Sequence, residues 1–362
     1  MKTSRKFSLC FRQCRIISLM EENQRQQTPR YILAGELRRE YVILPDGKAL
    51  LDVPGGNLIY AAAGLGVWDL STPPGLVARV GEDYKQDWLE SFKQQGFDIR
   101  GIKVLPEAVD LRSFYAYTDL PTRASDDPVH HFANLGLPFP KSLLGFTQKG
   151  NSPDNRTKLK TTSLRQNDFI PEYLEATSAH ICGIDFLSHT SLPSLLRQNG
   201  FTMVTLSPTP GYMNPNFRDD IPSLVTGLTA FIPSEEEVHT LFHGYGRDIW
   251  EMMEELASYG CEIVVLKCGE RGQLLYDTAT NNRWEIPPYP AKVIDPTGVG
   301  DAFCGGFLVG YRKTFDPLEA VLYGNISASL VIEGQGPFYA MDVLPGLPEA
   351  RLKALRQSVR KI

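Results

Sequence analysis

Residues 295–301 read Asp295-Pro296-Thr297-Gly298-Val299-Gly300-Asp301 and run directly into Ala302-Phe303-Cys304-Gly305-Gly306-Phe307-Leu308-Val309-Gly310-Tyr311. The first part is a tight glycine turn, and the second has the composition of an apolar helix. Gly298 and Gly300 let the backbone turn sharply and come close to a ligand. The first N–H groups of the following helix have no partner within it, and the positive end of its dipole points the same way. Such a place attracts an anion. Asp301 stands out there, because a carboxylate beside a bound phosphate is repelled unless it has a task, such as accepting a proton from an attacking hydroxyl. The local pattern leaves two readings open: Asp301 is a base, or it only caps its helix.

The rest of the chain limits the alternatives. Met1 to Met20 carry five basic residues, no acid and only a short apolar stretch, Ile16-Ile17-Ser18-Leu19-Met20. Residues 1–30 are therefore expected to be a disordered or targeting-like extension, or to precede a true start at Met20, and not to be a secretory signal. Hydrophobic residues make up 42% and no apolar run reaches membrane-spanning length, so a globular body is expected. The net charge of −5 argues against nucleic acid or an anionic membrane as partner. Six cysteines at 10, 14, 182, 261, 268 and 304 form no CxxC pair and no His/Cys cluster, which fits a reducing cytoplasm without a zinc site.

Along the body, short apolar runs alternate with helical stretches. The segments 31–35, 76–80, 180–184, 201–206, 229–233 and 263–267 read as strands buried on both faces, which implies parallel pairing. Asp83 is expected to cap a helix that stops at Gly96. Asp316-Pro317-Leu318-Glu319 places a cap, a first-turn proline and a capping-box acid before another helix ending near Gly334. The fold class is α/β, a doubly wound sandwich. Two segments break the rhythm: 41–53, with a turn at Pro45-Asp46-Gly47, and 102–117 read as antiparallel pieces of a small sheet over the site. The stretch 121–171 reads as an inserted loop with a mobile centre at 149–167, and 346–362 as a basic C-terminal helix.

The glycine turn resembles the C-terminal signature of the pfkB, or ribokinase-like, carbohydrate kinases. Four further cues follow the family's order. Pro54-Gly55-Gly56 leading into Ala61-Ala62-Ala63-Gly64-Leu65-Gly66 resembles its substrate motif, and Val77-Ala78-Arg79-Val80-Gly81-Glu82-Asp83 the strand and turn after it. Ser234-Glu235-Glu236-Glu237 stands where Asn-x-x-Glu is usual, and Leu266-Lys267-Cys268-Gly269-Glu270-Arg271-Gly272 resembles the nucleotide turn. Together they make residues 31–345 a ribokinase-like kinase domain with a small β-lid.

The resemblance implies an ATP- and Mg²⁺-dependent kinase acting on a hydroxyl of a sugar or sugar-like molecule. Asp301 would be the base, with the N–H groups around Gly298, Val299 and Gly300 as anion hole. Glu237 would hold Mg²⁺ through water, Gly269 and Gly272 would line the nucleotide, and Asn325 would lie near the adenine. Gly55, Gly56 and the loosely aligned Asp185 would contact substrate. A monovalent cation near Asp295 and Gly336, and a homodimer through the lid, are further expectations. The departures bear on substrate and phosphate. Gly35 is followed five residues later by Glu40, where Asp is usual. Tyr60 replaces an Asn and either stacks on a ligand or packs into the core. Ser234 stands for Asn, and Lys267, at the end of a buried strand, either contacts phosphate or pairs with an acid such as Glu237. The same chemistry on a nucleoside, or a catalytically weak kinase-like scaffold, are the alternatives.

Overall fold

The computed structural model describes residues 28–118, 122–147 and 153–362, so most of the N-terminal extension, with Cys10 and Cys14, lies outside the described residues. In chain order the strands are β1 (Tyr31–Ala34), β2 (Arg38–Ile43), β3 (Ala49–Gly55), β4 (Gly75–Gly81), β5 (Asp98–Leu105), β6 (Arg112–Ala116), β7 (Ser178–Ile181), β8 (Met203–Leu206), β9 (Ala230–Phe231), β10 (Ile263–Lys267), β11 (Gln273–Asp277), β12 (Asn282–Ile286) and β13 (Arg360–Lys361). Ten of them form one sheet in the order β13-β12-β11-β10-β9-β8-β7-β1-β4-β5. It is parallel from β5 to β10, and β11, β12 and β13 then continue it antiparallel.

The helices are α1 (Asn57–Gly66), α2 (Gln86–Gln94), α3 (Pro128–Asn134), α4 (Phe186–Gln198), α5 (Ile221–Val225), α6 (Glu235–Leu241), α7 (Ile249–Ser258), α8 (Val299–Thr314), α9 (Pro317–Val331) and α10 (Leu347–Leu355). Helices α1, α2 and α8 to α10 share one core with Tyr31, Leu33, Leu76, Ala78 and Val265. Helices α4 to α7 share another with Ile32, Ala34, Val77, Val264 and Leu266. Alternate residues of each strand thus enter opposite cores, which is why these strands are apolar throughout instead of alternating. The doubly wound sandwich expected from the sequence is the observed architecture.

A second sheet, in the order β3-β2-β6, forms the lid. Its β2–β3 hairpin is antiparallel and closes at the expected turn, where Gly47 has φ 81°. The segment 102–117 divides differently from the expectation. Residues up to Leu105 belong to β5, the parallel edge of the large sheet, and only β6 joins the lid, parallel to β2. One lid face, carrying Tyr41, Ile43, Phe114 and Ala116, packs against Phe132 of α3 and Leu143. The stretch 121–171 is therefore built in part into the fold. Its described portion at 153–167 is tied down as well: the Asp154 N–H donates to the Gly211 carbonyl at 2.8 Å, and its carboxylate accepts the Phe186 N–H at 2.9 Å. Two lids pairing through the outer face would have to displace this covering.

Three local expectations also change. Asp83 does not cap α2; its carboxylate accepts the Val109 N–H at 3.0 Å and anchors the loop after β5. Asp316 does cap α9, but Glu319 pairs with Arg356 instead of closing a capping box. The C-terminal helix ends at Leu355, and the chain finishes as an edge strand on β12.

Helices α1 and α8 meet through glycine. A Cβ on Gly64 would lie 2.0 Å from the Ala302 carbonyl oxygen, and one on Gly305 would lie 1.9 Å from that of Ala61. This backbone contact seats the start of α8 beneath the lid. Gly305→Val is expected to destabilise by about 2 kcal/mol or more, the scale of core overpacking, and to lower the denaturant midpoint without changing the slope. An unchanged midpoint would show that the helices separate freely.

Candidate active site

Gly298 is the N-cap of α8, with φ 70°, and a Cβ there would fall 1.9 Å from the Tyr60 ring. The turn is laced from within: the Asp295 carboxylate accepts the Thr297 N–H at 2.9 Å, and the N–H groups of Asp301 and Ala302 donate to the Gly298 carbonyl at 3.1 and 2.9 Å. The Val299 N–H already faces the Pro296 carbonyl at 3.5 Å, so Val299 contributes least to an anion hole. Among the described residues the N–H groups of Gly298 and Gly300 have no acceptor. Asp301 sits in the first turn and makes no side-chain capping bond, which removes the cap-only reading. Its partly buried carboxylate accepts no hydrogen bond and joins no ion pair among the described residues.

Burial pushes the Asp301 carboxyl above the usual aspartate range, and the charges of Lys267 and Arg123 pull it back. Lys267 ends β10 and lies beside the turn, its Nζ 3.8 Å from where a Gly300 Cβ would be. That ammonium donates to the Ser207 hydroxyl at 2.9 Å and lies 4.0 Å from the Cys304 sulfur. It has no carboxylate within 4.0 Å among the described residues, so the expected alternative of a direct ion pair with Glu237 is not what forms. Burial opposes its charge, but Cys304, Glu237 and Asp301 outweigh it, and Lys267 stays a cation. A partly buried ammonium without a paired carboxylate among the described residues, beside two unused amides, suits a phosphate.

On the lid side, Glu40 and Tyr60 are buried. The Glu40 carboxylate accepts the Gly56 N–H at 2.8 Å and lies 3.5 Å from the Tyr60 hydroxyl, and it fills the space a Gly55 side chain would need. Tyr60 packs into the core between α1 and the glycine turn, so of its two readings packing is the observed one. The side-chain oxygen of Asn57 accepts the Glu36 N–H at 2.8 Å and its amide binds the Gly183 carbonyl, which joins the end of β1 to that of β7.

Several expected ligand contacts prove to be local structure. Asp185 caps α4, accepting from the Ser188 N–H and hydroxyl at 3.1 and 2.7 Å, which gives it a structural role in its helix. Ser234 and Glu237 form a reciprocal capping box at the start of α6, with the Glu237 carboxylate accepting both the N–H and the hydroxyl of Ser234. Asn325 is buried: its amide donates to Gln273 and the Pro287 carbonyl, and its oxygen accepts the Tyr289 N–H. These contacts fix the 287–289 segment and use both of its amide donors. Gly269 faces open space at φ 58°, whereas a Gly272 Cβ would strike the Ile286 carbonyl oxygen at 2.1 Å. Gly269 alone of the two is open to a ligand.

Residues 172–343, which hold the glycine turn, the capping box, Lys267 and the 269–272 turn, match the family model described as pfkB family carbohydrate kinase. Over these residues the chain is similar to the pfkB family. A cytidine kinase of Thermococcus kodakarensis is 28% identical over 310 residues, 84% of this chain and 96% of that protein. An uncharacterized sugar kinase of Archaeoglobus fulgidus is 34% identical over 117 residues, 32% of this chain and 45% of that protein. In structure, a putative ribokinase II from E. coli in complex with ATP and Mg²⁺ superposes with a TM-score of 0.64 at 20% identity, covering 91% of this chain and 99% of that one.

Ser207 and Cys304 have no motif that marks them, and only the folded contacts bring them to Lys267. Among the described residues no helix is long and apolar enough to cross a membrane.

The buried Glu40 gives the site a pH signature. Burial pushes its carboxyl up from 4.5 to about 7; the Gly56 N–H opposes this, and Asp295 and Asp301 add repulsion. Between those two values the folded state holds a proton that the unfolded chain has lost, so folding stability falls as pH rises through the window. Relative to Glu40→Gln, the wild type is expected to lose on the order of 3 kcal/mol between pH 4.5 and 8 in denaturant titrations. Parallel pH responses of the two proteins would contradict the buried carboxyl.

Proposed function

We propose that this chain is an ATP- and Mg²⁺-dependent phosphotransferase that phosphorylates a hydroxyl of a sugar, free or as part of a nucleoside. The observation that carries the reading is the unpartnered carboxylate of Asp301 beside the unused N–H groups of Gly298 and Gly300 and the carboxylate-free ammonium of Lys267. In this reading Asp301 takes the proton of the acceptor hydroxyl as the hydroxyl oxygen bonds to the terminal phosphorus of ATP and the bond from that phosphorus to the bridging oxygen breaks, releasing ADP. The two amides receive the charge that gathers on the transferred group, and Lys267 steadies the phosphates.

The donor set suits magnesium. Among the described residues no cluster of three His, Cys, Asp or Glu side chains forms a metal cage, and Mg²⁺ bound chiefly by phosphates and water needs none. Glu237 is the carboxylate on the nucleotide side that would hold it through water, although one oxygen already closes the capping box. When bound, the ion supplies charge neutralisation along the triphosphate.

A nucleoside acceptor is supported by the alignment along nearly the whole length of a cytidine kinase. The scaffold alternative is disfavoured by Asp301 and Lys267, because an unpaired buried charge opposes folding and persists where function requires it.

Three measurements test the proposal. ATP turnover with panels of sugars and of nucleosides should be stimulated by members of one panel, and stimulation by neither would argue for the scaffold. Asp301→Asn is expected to keep nucleotide binding while turnover falls by roughly two or more orders of magnitude; normal turnover would exclude Asp301 as the base. Lys267→Met is expected to weaken ATP binding about tenfold or more, the scale of a lost charge-assisted contact. Unchanged ATP affinity would remove Lys267 from the phosphate site.

A further inference from the structure

The ammonium of Lys267 is anchored from a distant strand. Lys267 is the last residue of β10, and its backbone N–H donates to the Pro233 carbonyl at 3.0 Å. From there its side chain passes the end of β9 and meets Ser207, the residue that follows β8. Two strand spacings, roughly 10 Å, separate the two backbones, so only the side chains join them.

The anchor is rigid. The Ser207 N–H donates to the Ile181 carbonyl at 3.0 Å, which extends the β7–β8 ladder by one residue, and the Ile232 N–H donates to the Leu206 carbonyl at 2.8 Å on the other side. Ser207 is buried. Its hydroxyl has a single proton, which goes to the Ile232 carbonyl at 3.0 Å, so toward Lys267 it is an acceptor only, at 2.9 Å. Cys304 closes a further side. Its S–H donates to the Gly300 carbonyl at 3.2 Å, and its sulfur lies 3.6 Å from the Ser207 oxygen and 4.0 Å from the ammonium.

A lysine carries three ammonium donors on a flexible four-carbon stem. Ser207 takes one donor and the sulfur is at most a weak acceptor for a second, so a donor is left for a ligand. The oxygen that holds the ammonium is neutral. A carboxylate in its place would cancel the charge, whereas a hydroxyl fixes the position and leaves the charge uncompensated. Holding the stem in one rotamer before a ligand arrives also removes an ordering cost from binding. Both effects bear on this spot: Nζ lies 3.8 Å from where a Gly300 Cβ would be, beside the Gly298 and Gly300 N–H groups that have no acceptor among the described residues.

We infer that Ser207 is a positioning residue that holds the Lys267 ammonium at the glycine turn without neutralising it, and so prepares that cation for the phosphates of ATP. This rests on the phosphotransferase reading above, and the experiment separates the two.

Calorimetric titrations with Mg²⁺ and the β,γ-imido analogue of ATP would compare wild type, Ser207→Ala, Ser207→Thr, Lys267→Met and the double variant Ser207→Ala/Lys267→Met. Thermal melts would check that each is folded. Ser207→Ala is expected to bind the analogue about fivefold or more weakly than wild type, within the scale of a hydrogen bond to a charged group. Ser207→Thr keeps the hydroxyl and should stay within about twofold of wild type. On the Lys267→Met background, Ser207→Ala should change the affinity by less than about twofold, because the group it positions is gone. Should Ser207→Ala lower the melting temperature, the comparison of the two backgrounds still isolates the part that passes through Lys267. Equal affinity of wild type and Ser207→Ala overturns the inference. The same loss from Ser207→Ala on both backgrounds also overturns it, as does a loss in Ser207→Thr as large as in Ser207→Ala. If Lys267→Met binds the analogue as tightly as wild type, the inference falls while the nucleotide site stands. If wild type does not bind the analogue, the phosphotransferase reading itself fails.

Discussion

Position 298 has no room for a side chain. Its backbone is left-handed at φ 70°, and the ring of Tyr60 occupies the space a Cβ would take. Either condition alone favours glycine; together they fix where α8 begins, which way its first amides point and where Asp301 projects one turn on. The backbone contacts of Gly64 and Gly305 hold α8 against α1 and so carry the turn to the lid. The candidate site is thus defined by places where backbone meets backbone or ring, and its side chains stand on them.

The charge pattern of the cleft has the same origin. Glu40, Glu237, Asp295 and Asp301 converge on it, all with carboxyls pushed up by burial. Lys267 lies beside the glycine turn without a carboxylate in contact among the described residues. Ion pairs elsewhere in the chain are close and mostly near the surface, such as Arg39 with Asp52 at 2.9 Å and Arg356 with Glu319 at 2.7 Å. Separated charges in a low dielectric are poorly compensated until a ligand bridges them, and a polyphosphate supplies the anion this cation lacks. Tight pairing there would neutralise the groups before any ligand arrived.

The departures from the usual family residues acquire physical meanings in the fold. Glu40 uses its extra carbon to fold back onto the Gly55-Gly56 backbone, so its length moves the carboxylate toward Tyr60. Tyr60 in turn supports the glycine turn. Lys267 is held by Ser207, whose own hydroxyl donates to the Ile232 carbonyl at 3.0 Å and therefore offers a lone pair to the ammonium. None of this follows from the identity of one residue, because each contact joins segments far apart in the chain.

Periodicity and turn chemistry were enough to read the parallel strands, the ends of α9, the β2–β3 turn and the glycine turn with its acid, since these depend on neighbours within a few residues. They failed where one residue type serves two ends. Asp83 reads as a cap and Asp185 as a substrate acid, but Asp83 anchors the loop after β5 and Asp185 caps the first turn of α4. The 102–117 segment reads as strand throughout, but whether each part joins the large sheet or the lid is a matter of pairing partner, which the pattern of a single strand does not carry. By itself the sequence determined the doubly wound fold and the presence of an acid at a helix start. Only the tertiary structure decided that this acid is unpaired among the described residues, that Asp185 and Asn325 hold local structure, and that Lys267 lies beside the turn, because burial and partnership are properties of residues brought together across the whole chain.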